Sequence, residues 1–275
     1  MTTSSSSSTP GTRLSDRAVI VRLNISAWRV AKKNAAETKA VNAKHGTRDV
    51  AKVSVEICQH PALLEIYRLS AEARKAHYRL TLPAGDDGVR LLPVARQLEH
   101  SKLLGEYRDR IDGLLVEFAR DYPAERAAAP ARLNGLYVEG QWPATADEVR
   151  SKFAFAIRYL PVPEVGQWQE WLAEAATAAQ DNLRDQLAEA VRKVAERLSD
   201  PDARTFKSLT GNLAELLALV PDLNLANDPR ITALAKGAEA LLEHDTETLK
   251  EDPIARADTA AKANELVSLF NLSGF

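Results

Sequence analysis

The chain has 275 residues, 45% of them apolar and 27% charged, with a net charge of −2. That is long enough to bury one large or two small cores and too apolar for a disordered protein. A single cysteine, Cys58, excludes an internal disulfide or a Cys-based zinc cluster in one chain and fits a reducing compartment. No run of about 18 apolar residues suggests a membrane span, so the expected location is the cytoplasm.

Residues 1–16 open with a Ser/Thr-rich stretch that lacks the apolar core of a secretory signal and read as a disordered tail. Val19, Val21, Leu23 and Ile25 then alternate with polar residues, the period of a half-buried strand. Trp28 shares the parity of Arg22 and is expected on the outer face of that strand, or covered by a helix. From Lys32 to Gly46 the pattern suits either a strand and turn or a short basic helix. Thr47 can cap a helix carrying Val50, Val53 and Ile57. Pro61 suits the first turn of another, with Leu63, Leu64, Tyr67 and Ala71.

Leu80 and Leu82 before 84–88, with Val89 and Leu91 after it, predict a hairpin or folded loop. Leu104, Tyr107, Ile111, Leu114 and Phe118 predict a helix from about Gln97 to Asp121, stopped by Pro123. Thr145 with Glu148 forms a capping-box pattern. Phe153, Phe155, Ile157 and Tyr159 alternate as a strand, the natural partner of Val19–Ile25. The longest predicted helix runs from about 167 to 199. Its apolar stripe of Leu172, Ala179, Leu183, Leu187, Ala190, Val194 and Leu198 suits a helical hairpin or coiled coil. Three shorter helices follow, the first carrying Phe206 and Leu213 and ending at Pro221.

The expected fold class is mainly α (α+β): long coiled-coil-like helices, a two- or three-stranded sheet and a C-terminal helical bundle. The expected divisions are residues 1–16, 17–200 and 201–275.

No phosphate loop, nucleophile elbow or paired metal-ligand spacing is present, so no catalytic residue, metal site or cofactor is expected. Three features remain. First, residues 13–52 hold ten basic residues against three acidic ones, whereas residues 200–275 hold 13 acidic against seven basic. Arg22, Trp28, Arg29, Lys32, Lys33, Lys39, Lys44 and Arg48 therefore form a candidate nucleic-acid surface. Second, Leu172, Leu183, Leu187 and Val194 form a candidate protein-docking or self-association face. Third, Asp86-Asp87 could hold a cation, although turns favour Asp regardless; a cleft gathering them with His77 and His100 would point to an enzyme.

Arg79-Leu80-Thr81-Leu82-Pro83, Gly88-Val89-Arg90-Leu91-Leu92-Pro93, Phe118 to Pro123, Trp142-Pro143, Phe153 and Pro161-Val162-Pro163 form a further pattern. Across residues 18–170 it resembles a bacterial and bacteriophage family known only as a domain of unknown function. The resemblance implies an accessory protein of a bacterium or its virus, with an AAA+ ATPase as one partner, and it transfers no catalytic residue. The leading expectation is a non-enzymatic adaptor or assembly factor; the alternative is a nucleic-acid-binding accessory protein.

Overall fold

The computed structural model describes residues 13–84, 88–163, 169–200 and 207–272. Its helices are α1 Leu14–Arg17, α2 Ala35–Lys44, α3 Pro61–Leu80, α4 Gln97–Leu133, α5 Ala146–Arg150, α6 Gln169–Ser199, α7 Lys207–Leu223, α8 Pro229–Glu239, α9 Thr246–Glu251 and α10 Pro253–Leu272. The strands are β1 Ala18–Ser26, β2 Ala31–Lys33, β3 Ser54–Glu56, β4 Leu82–Pro83, β5 Val89–Pro93 and β6 Ala154–Pro161. The fold is mainly α with a small antiparallel component, as its composition predicts.

The chain divides into two compact units and passes between them four times. The first holds residues 13–22, 78–100 and 158–275; the second holds 23–77 and 101–157. Residues 169–200 and 207–272 thus share one unit.

In the first unit, β4 and β5 form the predicted hairpin, pairing Leu82 with Leu91. β1 lies antiparallel on β5, with Ala18 opposite Pro93 and Ile20 opposite Leu91. The strand order β4-β5-β1-β6 sets β6 beside β1, the pairing expected from their alternations, and makes four strands rather than two or three. Helix α6 packs on α10, α7, α8 and β4. Its residues Leu183, Leu187, Val191 and Val194 are buried, as are Leu213 and Val220 of α7 and Ala260 and Ala263 of α10. Small residues on α10 allow this close seat, since their side chains keep the axes near.

Several helix ends of this unit are satisfied by side chains. Asp228 accepts a hydrogen bond from the Arg230 amide before Pro229, and Asp252 does the same for Ile254 before Pro253. An acceptor at the cap followed by proline starts a helix without leaving orphan donors. Arg256 donates to the Leu198 carbonyl at the end of α6, at 3.0 Å, and to that of Asp200. Arg17 donates to the Leu225 carbonyl just beyond α7, at 2.7 Å. Each places a cation where unpaired carbonyls gather negative potential. Pro221 does not end α7, which continues to Leu223; Val220 and Leu223 are buried on either side of it and hold the last turn.

The second unit is built on aromatic residues. Trp28, Phe118, Tyr122 and Trp142 pack with ring centroids 5.4–6.3 Å apart in pairs that include Trp28. Val30, Ile57, Cys58, Leu63 and Val149 complete the cluster. Tyr122 donates its hydroxyl to the Pro143 carbonyl at 2.7 Å, and Tyr67 donates to that of Trp28. Burial pushes both phenols up to about 12.

Here α4 departs from expectation. It runs through Pro123 and Pro130 to Leu133. A proline inside a helix loses one hydrogen bond and crowds the preceding turn. Both prolines are exposed, while Phe118, Tyr122 and Ala129 anchor the opposite face in the core; tertiary packing outweighs the local penalty.

Candidate nucleic-acid interface

The basic residues after Trp28 occupy one local module. Strand β2 pairs antiparallel with β3, Lys32 opposite Val55, and α2 lies between them in sequence. Asn34 caps α2 by accepting from the Glu37 amide at 3.0 Å. The ambiguous segment after Lys32 is therefore strand first and basic helix second.

The helix expected from Thr47 to Ile57 does not form. Gly46 and Asp49 adopt positive φ, 65° and 59°, and residues 47–53 fold back on α2. Asn42, the only buried residue of α2, makes the join. Its amide nitrogen donates to the Thr38 and Ala51 carbonyls at 2.9 and 3.0 Å. Its carbonyl oxygen accepts from the Ala51 amide and the Thr47 hydroxyl at 2.9 and 3.0 Å. Thr38 accepts from the Val53 amide at 2.9 Å. Polar stitches do here what apolar burial does elsewhere: Val41 is only half-buried, and Val50, on the expected helical face, is 76% exposed.

This inward stitching turns the cations outward. Arg29, Lys33, Lys39, Lys44, Arg48 and Lys52 are exposed and Lys32 half-buried. Among the described residues none of the seven forms an ion pair. Other arginines of this unit are engaged: Arg68 with Glu65 and Glu72, Arg120 with Asp121, Arg132 with the Ile57 carbonyl and Arg74 with that of Ile25. Only Glu37 and Asp49 are acidic between Arg29 and Lys52. Seven cations against Glu37, Asp49 and the β3 residue Glu56 leave an excess of positive charge that no ion pair among the described residues offsets, which raises the local positive potential.

Lys32 and Lys33 border a depression of about 190 Å³ at the start of α2, with Asn34, Ala35, Val55, Leu136, Val138 and Gln141. Sequence reading missed the last three, which stand about a hundred residues away in the chain. It also missed Asn34, Ala35 and Val55; the glutamate three residues after Asn34 is the signal that could have marked that cap.

Trp28 takes no part in this surface. β1 ends at Ser26, so the strand alternation does not reach it, and the side chain is 5% exposed inside the aromatic core. Its faces cannot stack on a base. Arg22 is exposed on β1 and belongs to the first unit.

The candidate docking face is likewise occupied. Leu183, Leu187 and Val194 lie 0–3% exposed in the packing of the first unit. Leu172 alone stays half-buried, beside a groove of about 480 Å³ that Arg13, Val162 and Ala176 also line. The stripe predicted for a partner meets α10 and α7 of its own chain.

The remaining sequence features resolve separately. Asp86 and Asp87 lie outside the described residues, as do Trp168, Phe206 and most of the Ser/Thr-rich tail. His60 caps α3, its Nδ1 accepting from the Ala62 amide at 3.2 Å. His77 and His100 are buried, 2% and 0% exposed. His100 Nδ1 lies 2.9 Å from the Tyr159 hydroxyl, and burial lowers the histidine to about 4. Burial also pushes the Cys58 thiol up, disfavouring the reactive thiolate. Among the described residues no group of three or more His, Cys, Asp and Glu side chains could hold a metal ion, and no helix is long and apolar enough to cross a membrane. No protein-family model, curated protein or solved structure matches the chain.

Proposed function

We propose that this protein is a nucleic-acid-binding accessory factor that works through the β2–α2–β3 module. One observation carries the reading: Arg29, Lys32, Lys33, Lys39, Lys44, Arg48 and Lys52 cluster within 24 residues and none forms an ion pair among the described residues. Phosphates would supply the missing counter-charges. Neutralising them releases condensed counterions, so affinity should fall steeply with salt. With about four phosphates engaged, log K against log salt would slope at roughly −3 to −4.

The adaptor reading ranks second, because the apolar stripe that motivated it is spent on packing within the first unit. The likeness to a phage and bacterial family, and an AAA+ ATPase as partner, fit an accessory role without adding a site.

Mobility shifts with single- and double-stranded DNA and RNA at 50 and 200 mM salt test the proposal. The expected result is salt-sensitive retention by the full chain and its loss in the Arg29→Ala/Lys32→Ala/Lys33→Ala variant. Equal behaviour of the two proteins would overturn it.

A further inference from the structure

We infer that the module engages B-form duplex DNA, seating α2 in the major groove and gripping the two phosphate walls with Lys39 and Lys44. This rests on the nucleic-acid reading above and adds the form of the ligand.

Two separate observations favour a duplex over a single strand. Proteins that hold single strands without reading sequence stack bases on exposed aromatic rings beside a cationic track. No Phe, Tyr or Trp occurs between Arg29 and Ile66, and Trp28, the one aromatic at the edge of the segment, is buried. Cations whose own segment carries no exposed aromatic ring suit phosphates held at fixed spacing by a double helix.

The second observation is the placement of charge on α2. Five residues apart, at about 100° per residue, Lys39 and Lys44 stand roughly 140° apart around the axis. Both are exposed, and the side chains opposite them, Thr38 and Asn42, bond inward to residues 47–53. An α-helix with its side chains is about 10–12 Å across and the major groove about 12 Å wide. A helix lying there would direct one lysine to each wall. Arg48 and Lys52, on the segment tied to α2 by Asn42, extend the cationic surface beyond it. The face between the lysines carries only Ala36, Ala40 and Ala43, which lack the donors and acceptors that distinguish base edges. Binding is thus independent of sequence.

Fluorescence anisotropy tests this with the full chain, a labelled 24-base-pair DNA duplex of mixed sequence and each of its separated strands, in 50–250 mM KCl. The duplex should bind at least fivefold tighter than either strand, and duplexes of unrelated sequence should agree within twofold. Lys39→Gln/Lys44→Gln should weaken duplex binding at least tenfold, whereas Lys102→Gln on α4 should not. An Ala40→Glu variant, which sets a carboxylate between the two walls, should weaken it as much. Single strands binding as tightly as the duplex would overturn the inference and leave nucleic-acid binding standing. So would duplex binding untouched by both α2 variants. Binding only to vesicles of anionic phospholipid, or to none of these ligands, would overturn both proposals.

Discussion

Replacing Asn42 by alanine tests whether the cationic module is held by polar stitches. The side chain makes four hydrogen bonds of 2.9–3.0 Å, three of them to residues 47–51. A typical intramolecular hydrogen bond contributes about 0.5–1.5 kcal/mol net. Truncation also strands the Ala51 amide and carbonyl, so a local loss of about 2–4 kcal/mol is expected. The Ala51 amide loses its acceptor outright and is a poor probe. The Val53 amide is the informative one, because its own acceptor, the Thr38 hydroxyl at 2.9 Å, survives the substitution. Its hydrogen exchange quickens only if residues 47–53 detach from α2, and a loss of 2–4 kcal/mol converts to roughly 30- to 700-fold. Amides in the core of α4 should be unaffected, since opening of this kind is confined to one segment. Asn42→Asp keeps the acceptor oxygen and loses both donor bonds, so it should fall between. If Val53 exchanges within threefold of wild type in Asn42→Ala, the module is held by something other than these bonds.

Other outcomes follow from the same structure. Pro123→Ala should stabilise the protein toward urea by up to about 3 kcal/mol, because the exposed helical site regains a backbone donor; an unchanged midpoint would mean that the helix has already relaxed around the ring. Gln180 of α6 buries both amide atoms with no partner among the described residues. Gln180→Met should therefore raise stability by about 1–3 kcal/mol, the desolvation cost of an unsatisfied group; a lower thermal midpoint would show that the amide is satisfied. His100 is depressed from 6.5 to about 4, so the unfolded chain binds the extra proton between those values. Its contribution is complete above pH 6.5 and is lost as pH falls toward 4, amounting to about 3 kcal/mol. Chemical denaturation from pH 7 to 4 should show that slope in wild type and a shallower one in His100→Gln.

Much of the fold was legible along the chain. Alternation marked β1 and β6, three-four spacing marked α4 and α6, and the turn-rich pentapeptide marked the β4–β5 hairpin. These patterns are local consequences of periods of two and 3.6 residues, which any buried face imposes on its own segment. The bond from the Glu148 amide to Thr145 was local in the same sense. Where a single local rule competed with packing, it lost: Pro123 and Pro221 lie inside helices because buried neighbours on the far face hold the turns together.

The site was only half legible. The excess of basic residues before Lys52 is a property of composition and was visible at once. Whether those charges were already neutralised was not, because ion pairs depend on which carboxylates the fold brings within 4 Å. The roles of Trp28 and of the Leu183–Leu187–Val194 stripe were likewise undecidable in one dimension. An apolar face states that it must be covered, never by what; α10 and α7 cover the stripe, and Phe118, Tyr122 and Trp142 enclose the indole. Local spacing thus determined the elements and the sign of the charge. The tertiary structure alone decided which faces were spent inside the protein and which cations were left facing water, because burial and pairing are relations between residues distant along the chain.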